Sequence, residues 1–347
     1  MKVGLFDHVE RADRSFATLL DERLTFAAAA DDAGIYCLHV AEHHCTPLNM
    51  VPVPGVYLAA VARATRRMRL GPLVYLLPLY SPLRLIEEIC MLDQLSHGRY
   101  EVGVGRGVSP FELNYHHVDH DTSRDIFIDA FECISAGLVS DPFSYSGPHY
   151  KYANVPMPLR PLQHPHPAFW YGSSNAVGST FAGERGMHFL SLGPTAFAKG
   201  NIDAYRSALE KRGGAAQPKA EFRGGAAIGV LRNVVVAGTD AEARRIAAPA
   251  MAHHLECLNW LRNLHGASEA AARMNVPRPA TLDDGINDGS VIAGKPETVV
   301  EAIEHQAATL GINYLLAYLF FGTMTLAEAL RSLQLFRSEV MPRIAHL

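Results

Sequence analysis

Seventeen of the 347 residues are histidine, and the densest group, His39-Val-Ala-Glu42-His43-His44-Cys45, closes a short apolar run that reads as a buried strand. Imidazole exchanges protons near neutral pH, so a histidine fixed at a strand end is equipped for acid/base work. Strand alternation sends His39, Ala41 and His43 to one face and Val40, Glu42 and His44 to the other. His43 reads either as an acid/base group or as a histidine satisfied by local hydrogen bonds, and its neighbours and position favour the first. His116-His117, His120, His164 and His166 fall in loop-like stretches. With no H-E-x-x-H and no H-x-H on a strand, hydrogen bonding is favoured over metal ligation, and no metal is expected.

A second kind of chemistry is legible further on. Gly103-Val-Gly105-Arg106-Gly107 lets a ligand approach the backbone beside a guanidinium that pairs with phosphate or carboxylate. The spacing is G-x-G-x-G and not the G-x-G-x-x-G of a first Rossmann turn, so a dinucleotide fingerprint is unsupported. Arg124 follows Asp121-Thr122-Ser123 at a helix start and, alone, reads as a surface charge. Gly172-Ser173-Ser174-Asn175 runs from a strand straight into a helix, where free backbone N–H groups and the dipole favour an anion, although a serine there also reads as an N-cap. Together, the two arginines and the helix start make a phosphate site.

These groups need a frame. Apolar or β-branched runs at Lys2–Asp7, Cys37–Ala41, Arg69–Tyr75, Tyr100–Gly103, Pro167–Tyr171, His188–Leu192, Ile228–Val236 and Tyr314–Leu319 alternate with 3.6-periodic segments, the pattern of parallel β/α units. Eight units predict an α/β fold, a (β/α)8 TIM barrel with its chemistry on the loops after the strands. Surplus length gathers after strand four, up to Pro167, and after strand seven, from Ala267 to Gly294. Both insertions are expected on the active-site side, the second with the composition of either a mobile lid or a plain surface loop. One domain over residues 1–347 is expected.

Composition excludes several classes. Hydrophobic residues at 48% and charged residues at 19% fit a globular chain with a large core, and a formal charge of −4 without like-charge blocks leaves no nucleic-acid footprint. Five cysteines without C-x-x-C suggest neither a disulfide framework nor a zinc ribbon, and a cytoplasmic setting is expected. The start, Lys2–Asp7, reads as a strand and not as a signal peptide, and the most apolar run, Leu70–Leu79, is too short for a membrane span of about 20 residues.

Several separated motifs resemble, in order, those of the bacterial luciferase-like flavin monooxygenases. They are Glu42-His43-His44, Leu77-Pro78 with Ser81-Pro82, Leu92-Asp-Gln-Leu-Ser-His-Gly-Arg99, Gly103–Gly107, Asp121–Arg124, Ala182-Gly-Glu-Arg-Gly186, Gly294-Lys-Pro-Glu297 and Leu335-Phe-Arg-Ser-Glu-Val-Met-Pro342. The resemblance implies a barrel that binds reduced FMN, supplied by a separate NAD(P)H-dependent flavin reductase, and oxygenates a small, mainly apolar substrate with O2 through a C4a-hydroperoxyflavin. It implies His43 as the acid/base residue and Arg106 and Arg124 as phosphate ligands. Gly172, Ser173 and Ser174 would form the turn at the flavin phosphate and ring edge, and Leu73–Val74 a non-prolyl cis peptide under the flavin. It also implies a homodimer.

Two positions depart from the family pattern. Gly105 stands where luciferases carry a reactive cysteine, which argues against light emission, and Ser173 stands for an acidic residue. Alternatives on the same fold are an F420-dependent hydride-transfer enzyme and a non-catalytic flavin-binding subunit; the presence of His43 weighs against the latter. A metal-dependent hydrolase using His39, His43 and loop histidines ranks lower. His8, Tyr75, Phe111, Tyr115 and His117 are expected around the mouth.

Overall fold

A computed structural model of the chain describes residues 1–266 and 278–347. Its main sheet is parallel. The strands are β1 (Lys2–Asp7), β2 (Cys37–Val40), β3 (Arg69–Pro72), β4 (Tyr75–Leu76), β5 (Val102–Gly105), β8 (Phe169–Ser173), β9 (His188–Ser191), β10 (Ile228–Val236), β11 (Val291–Gly294) and β12 (Tyr314–Tyr318), with β6 (Phe143–Ser146) and β7 (Lys151–Val155) forming a separate antiparallel hairpin. Hydrogen bonding runs β3-β2-β1-β12-β10-β9-β8-β5-β4. Because β3 and β4 are two halves of one interrupted strand, and Leu70 bridges to Tyr100 ahead of β5, this order brings the sheet round to a nearly closed barrel. The strands are buried on both faces, which is why they read as continuous apolar runs such as Tyr314-Leu-Leu-Ala-Tyr318.

The helices between the strands are α1 (Phe16–Ala33), α2 (Pro54–Ala64), α3 (Pro82–Leu95), α4 (Pro110–Tyr115), α5 (Ser123–Gly137), α6 (Ala176–Glu184), α7 (Thr195–Arg212), α8 (Asp240–His265), α9 (Leu282–Asp288), α10 (Pro296–Leu310) and α11 (Leu326–Leu335). Local signals set their ends. The Ser15 side chain accepts from Thr18 N–H at the start of α1, and Gly34, at φ 83°, closes it in a conformation that a side chain disfavours.

Four expectations change. The strand expected over Arg69–Tyr75 is broken at Leu73–Val74, and the fourth begins at Val102 instead of Tyr100, which makes only an isolated bridge. The stretch before Pro167 is on the opposite side from the one expected. Its hairpin lies between the end of α5 and the start of β8, and a connection from a helix end to a strand start falls at the N-terminal face of the barrel. Gln163 accordingly donates to Tyr100 O at 2.7 Å, at the foot of β5. In the second insertion, residues 267–277 lie outside the described residues. The rest is not a plain loop, for α9 carries a capping box at Thr281, and Val291–Gly294 pairs with Asn233–Val236 of β10. That strand went unread because four residues between turn signals carry too short a pattern.

The foot of the barrel is held by a buried charge network. Glu101, fully buried, is paired with Arg69 and Lys219 and accepts from Trp170 Nε1 at 2.9 Å. Burial raises its pKa, but the two cations more than reverse this and hold the carboxyl at about 2. Since the unfolded value is about 4.3, the pair stabilises fully above that pH and loses its contribution as pH falls from ~4 towards ~2. Glu101→Ala strands two cations and an indole N–H, so urea melts at neutral pH are expected to show a loss of about 3–5 kcal/mol. An unchanged midpoint would mean that the network contributes nothing.

Candidate active site

The C-terminal ends of β1, β2, β4, β5, β8 and β12 open on one side, and His43 lies just past β2. Its position is imposed from two directions. The Glu42 carboxylate, almost completely buried, accepts from Leu76 N at 3.1 Å and Tyr80 Oη at 2.9 Å, and lies 2.8 Å from His44 Nε2. It thereby ties the end of β2 to the interrupted strand beside it. From the other side comes Glu112 on α4. One of its oxygens lies 3.1 Å from His43 Nδ1, and the other accepts His44 N–H at 2.8 Å. Burial disfavours the imidazolium of His43, yet Glu112 and then Glu42 outweigh it and its pKa is raised; Glu112, burial notwithstanding, is lowered chiefly by His43. A carboxylate on Nδ1 fixes the ring and leaves Nε2 to exchange a proton.

Glu112 was not among the residues singled out from the sequence, although a signal was present. Ser109-Pro110-Phe111-Glu112 has a capping serine, proline in the first turn and an acidic residue three places after the cap, the start of a short helix. In the structure Ser109 Oγ accepts Glu112 N–H at 3.3 Å. Its meeting with His43 is a tertiary event between residues 69 positions apart.

The Leu73–Val74 peptide is cis, as the resemblance implied. Leu73 N–H donates to Val40 O at 2.7 Å, so the break abuts the strand that carries His43. Gly105 faces Val74: a Cβ there would overlap Val74 Cγ2 and crowd Val74 Cβ. This gives the absence of the luciferase cysteine a steric reason. Gly105→Ala should cost about 1–3 kcal/mol through overpacking, read as a lowered melting temperature; a variant as stable as the parent would show that Val74 yields freely.

Arg106 follows β5, and Arg124 lies in the first turn of α5. Burial, and to a lesser extent Arg124, lowers the pKa of Arg106, and both arginines act on Tyr171 of β8, so the two guanidinium groups converge there. Among the described residues neither forms an ion pair. Next along β8, Gly172 has open space where a Cβ would sit. The Ser173 hydroxyl is engaged in its own turn, donating to Asn175 O at 2.9 Å and accepting Asn175 N–H at 3.1 Å. The N-cap of α6 is Asn175 and not a serine, its side chain accepting Gly178 N–H at 2.9 Å. Two guanidinium groups without an ion pair among the described residues, an open glycine and a helix start suit an anion, with Ser173 shaping the turn and Ser174 half-buried beside it.

Other expectations separate. Tyr75 is not a mouth residue: it is fully buried, with its hydroxyl bonded to Glu88 and Tyr100 at 2.6 Å each. His39 lies inside the barrel, 3.1 Å from Tyr314 Oη and packed on Trp170, and does not join His43. Among the described residues no three His, Cys, Asp or Glu side chains are grouped to hold a metal ion. Phe111 stacks on His265 at the end of α8, 4.3 Å between centroids, and Tyr115 Oη lies 2.6 Å from His265 Nε2, so α8 meets α4, the helix that carries Glu112. His117 is exposed. His8 lies against His43. A cavity of about 400 Å³ lies elsewhere, lined by Ala168, Met187 and His188 at strand starts on the opposite face.

Fold and site define a barrel with a carboxylate-held histidine and two convergent arginines at the ends of its strands. The chain belongs to the luciferase-like monooxygenase family, whose model matches residues 1–314. It is 36% identical over 341 residues to the uncharacterized protein y4wF of Sinorhizobium fredii, covering 98% of this chain and 96% of the relative. It is 25% identical over 262 residues to the oxygenase component of a flavin-dependent trigonelline monooxygenase of Acinetobacter baylyi, covering 70% and 67%. The structure of the oxygenating constituent of 3,6-diketocamphane monooxygenase from Pseudomonas putida, in complex with FMN, superposes with a TM-score of 0.83 at 24% identity, covering 99% and 98% of the two chains. An F420-dependent secondary alcohol dehydrogenase superposes at 0.73 and 16% identity, covering 99% and 98%. These two likenesses concern the fold.

Proposed function

We propose that this protein is the oxygenase of a two-component system that uses reduced FMN and O2 to oxygenate a small, mainly apolar organic substrate, with a separate NAD(P)H-dependent flavin reductase supplying the cofactor. The observation that carries this reading is one barrel mouth holding both the Glu112-braced imidazole of His43 and the guanidinium groups of Arg106 and Arg124, which form no ion pair among the described residues. When bound, reduced FMN supplies the electrons that activate O2. Arg106 and Arg124, with the Gly172–Ser174 turn, hold the phosphate; Leu73 and Val74 support the ring; His43 moves a proton at Nε2.

The test is anaerobic titration with reduced FMN and, separately, with reduced F420, followed by admission of air. Tight binding of reduced FMN with oxygen consumption is expected. Binding of F420 alone, without oxygen consumption, would point to hydride transfer, and binding of neither would end the flavin reading. Glu112→Gln removes the charge that raises the His43 pKa. The limb of the pH–rate profile belonging to His43 should therefore move to lower pH; an unmoved limb would assign it to another group.

Exposed Val53, Val56, Met91 and Leu95 on and beside α2 and α3 support a homodimer, to be read by light scattering. The five cysteines are free, which supports a reducing cytoplasm, and no helix among the described residues is long and apolar enough to cross a membrane.

A further inference from the structure

We propose that His8 holds an oxygen atom of the substrate, a carbonyl or a carboxylate, by donating a hydrogen bond from Nε2 between two carboxylate–imidazole pairs at the barrel mouth. This rests on the oxygenase reading and names a recognition residue within it.

His8 is the first residue beyond β1. Its ring lies 5.5 Å from that of His43 and 5.8 Å from that of His254 on α8, tilted by about 40° to each. The outer two are alike in their bracing. His43 Nδ1 faces Glu112, and His254 Nδ1 pairs with the fully buried Glu10, whose other oxygen accepts Gly322 N–H at 2.7 Å. Only the middle ring lacks a side-chain partner. His8 is 8% exposed, its Nδ1 is enclosed without a hydrogen bond, and Nε2 is neither enclosed nor bonded within the described structure. Buried N–H groups without acceptors are rarer than buried acceptors without donors, so the single proton of a neutral imidazole belongs on Nε2. An imidazole so placed is costly unless something completes it, and the group that completes an N–H is an acceptor oxygen.

The surroundings restrict that oxygen further. Burial, and after it His43, His254 and Arg278, disfavour protonation of His8, so the ring is held neutral. Arg278 donates only to neutral acceptors among the described residues, Leu258 O at 3.0 Å and Asn259 Oδ1 at 2.8 Å. The rings of Phe6 and Tyr318 also pack against that of His8, steeply inclined to it, at 4.8 Å and 5.7 Å between centroids. A partly or fully negative oxygen on an apolar body fits this combination, whereas a cation does not.

The experiment uses full-length protein with histidines labelled with nitrogen-15, titrated with cyclohexanone, cyclohexanecarboxylate and, as an apolar control, toluene. The His8 resonance is assigned by its loss in His8→Phe. At least one oxygen-bearing probe should bind saturably and shift the His8 Nε2 signal, with toluene leaving it in place; which probe does so separates carbonyl from carboxylate. His8→Phe should weaken that probe about tenfold or more, and His8→Gln, whose amide N–H reaches a similar point, should recover most of the loss. Equal affinity in the parent and His8→Phe would overturn the assignment, as would failure of both oxygen-bearing probes to saturate the parent. Thermal melts of each variant exclude misfolding as the cause. Reduced FMN is titrated alongside: its failure to bind the parent would end the oxygenase reading, while its retention with an unchanged probe affinity ends only the role of His8.

Discussion

Replacing His43 with alanine is expected to lower the rate of substrate-dependent oxygen consumption by about 10²–10⁴-fold at saturating reduced FMN, the range that positioned acid/base groups supply. His43 makes its hydrogen-bonding contact with Glu112, through Nδ1, and so presents Nε2 to the mouth. Its side chain remains 21% accessible while that of Glu112 is 3% accessible, so the carboxylate cannot replace the imidazole at substrate. Loss of the ring leaves the Glu112 charge without its main counter-group, so His43→Gln belongs beside the alanine variant as a control for packing. In both, the affinity for reduced FMN should stay within about threefold, less than ~0.7 kcal/mol, because the phosphate cradle lies on other strands. Full turnover in either variant would remove His43 from the chemistry. A parallel loss of flavin binding would recast it as a scaffold residue.

Arg106→Ala carries the second large effect, and it is one of affinity. A charge-assisted hydrogen bond to phosphate contributes about 1.5–3 kcal/mol, so one arginine accounts for roughly 10–150-fold in the dissociation constant of reduced FMN. The loss should be specific to the phosphate: riboflavin, which lacks it, is expected to bind the parent and Arg106→Ala with similar affinity. Arg124→Ala should behave alike but less strongly, because Arg124 is exposed whereas Arg106 is half-buried and already bears a desolvation cost that bound phosphate would offset. Removing one guanidinium also relieves the repulsion on the other, so the double variant should lose less than the sum. Equal preference for FMN and riboflavin in the parent would disprove the cradle.

Local pattern reached far into this fold because the barrel strands are buried on both faces and several helices carry their own stops. Gly34, at φ 83°, is one such stop, and Tyr314–Tyr318, buried throughout, is a strand that needs no tertiary information to read. The site was legible where a residue announces itself by type at a strand end, as His43 and Arg106 do. It was not legible where the decisive fact is a contact. Glu112 and Glu10 look like ordinary charges in sequence, yet each is buried against an imidazole that the chain brings from 69 and 244 positions away. Tyr75 fails in the opposite direction, for an aromatic at a strand end reads as a mouth residue until its hydroxyl is found bonded to Glu88 and Tyr100.

The sequence by itself determined the β/α alternation, the eight principal strands and the order of the chemically equipped loops, because these follow from periodicity and turn residues over short windows. Tertiary structure alone decided which side of the barrel the first insertion occupies, that β11 joins β10, that Gly105 faces Val74, and that His8 lies between two carboxylate-braced histidines. The physical reason is range. Propensity and burial pattern act between neighbours in sequence, whereas hydrogen-bond partners and electrostatic fields act between neighbours in space, and barrel closure makes those neighbours of residues hundreds of positions apart.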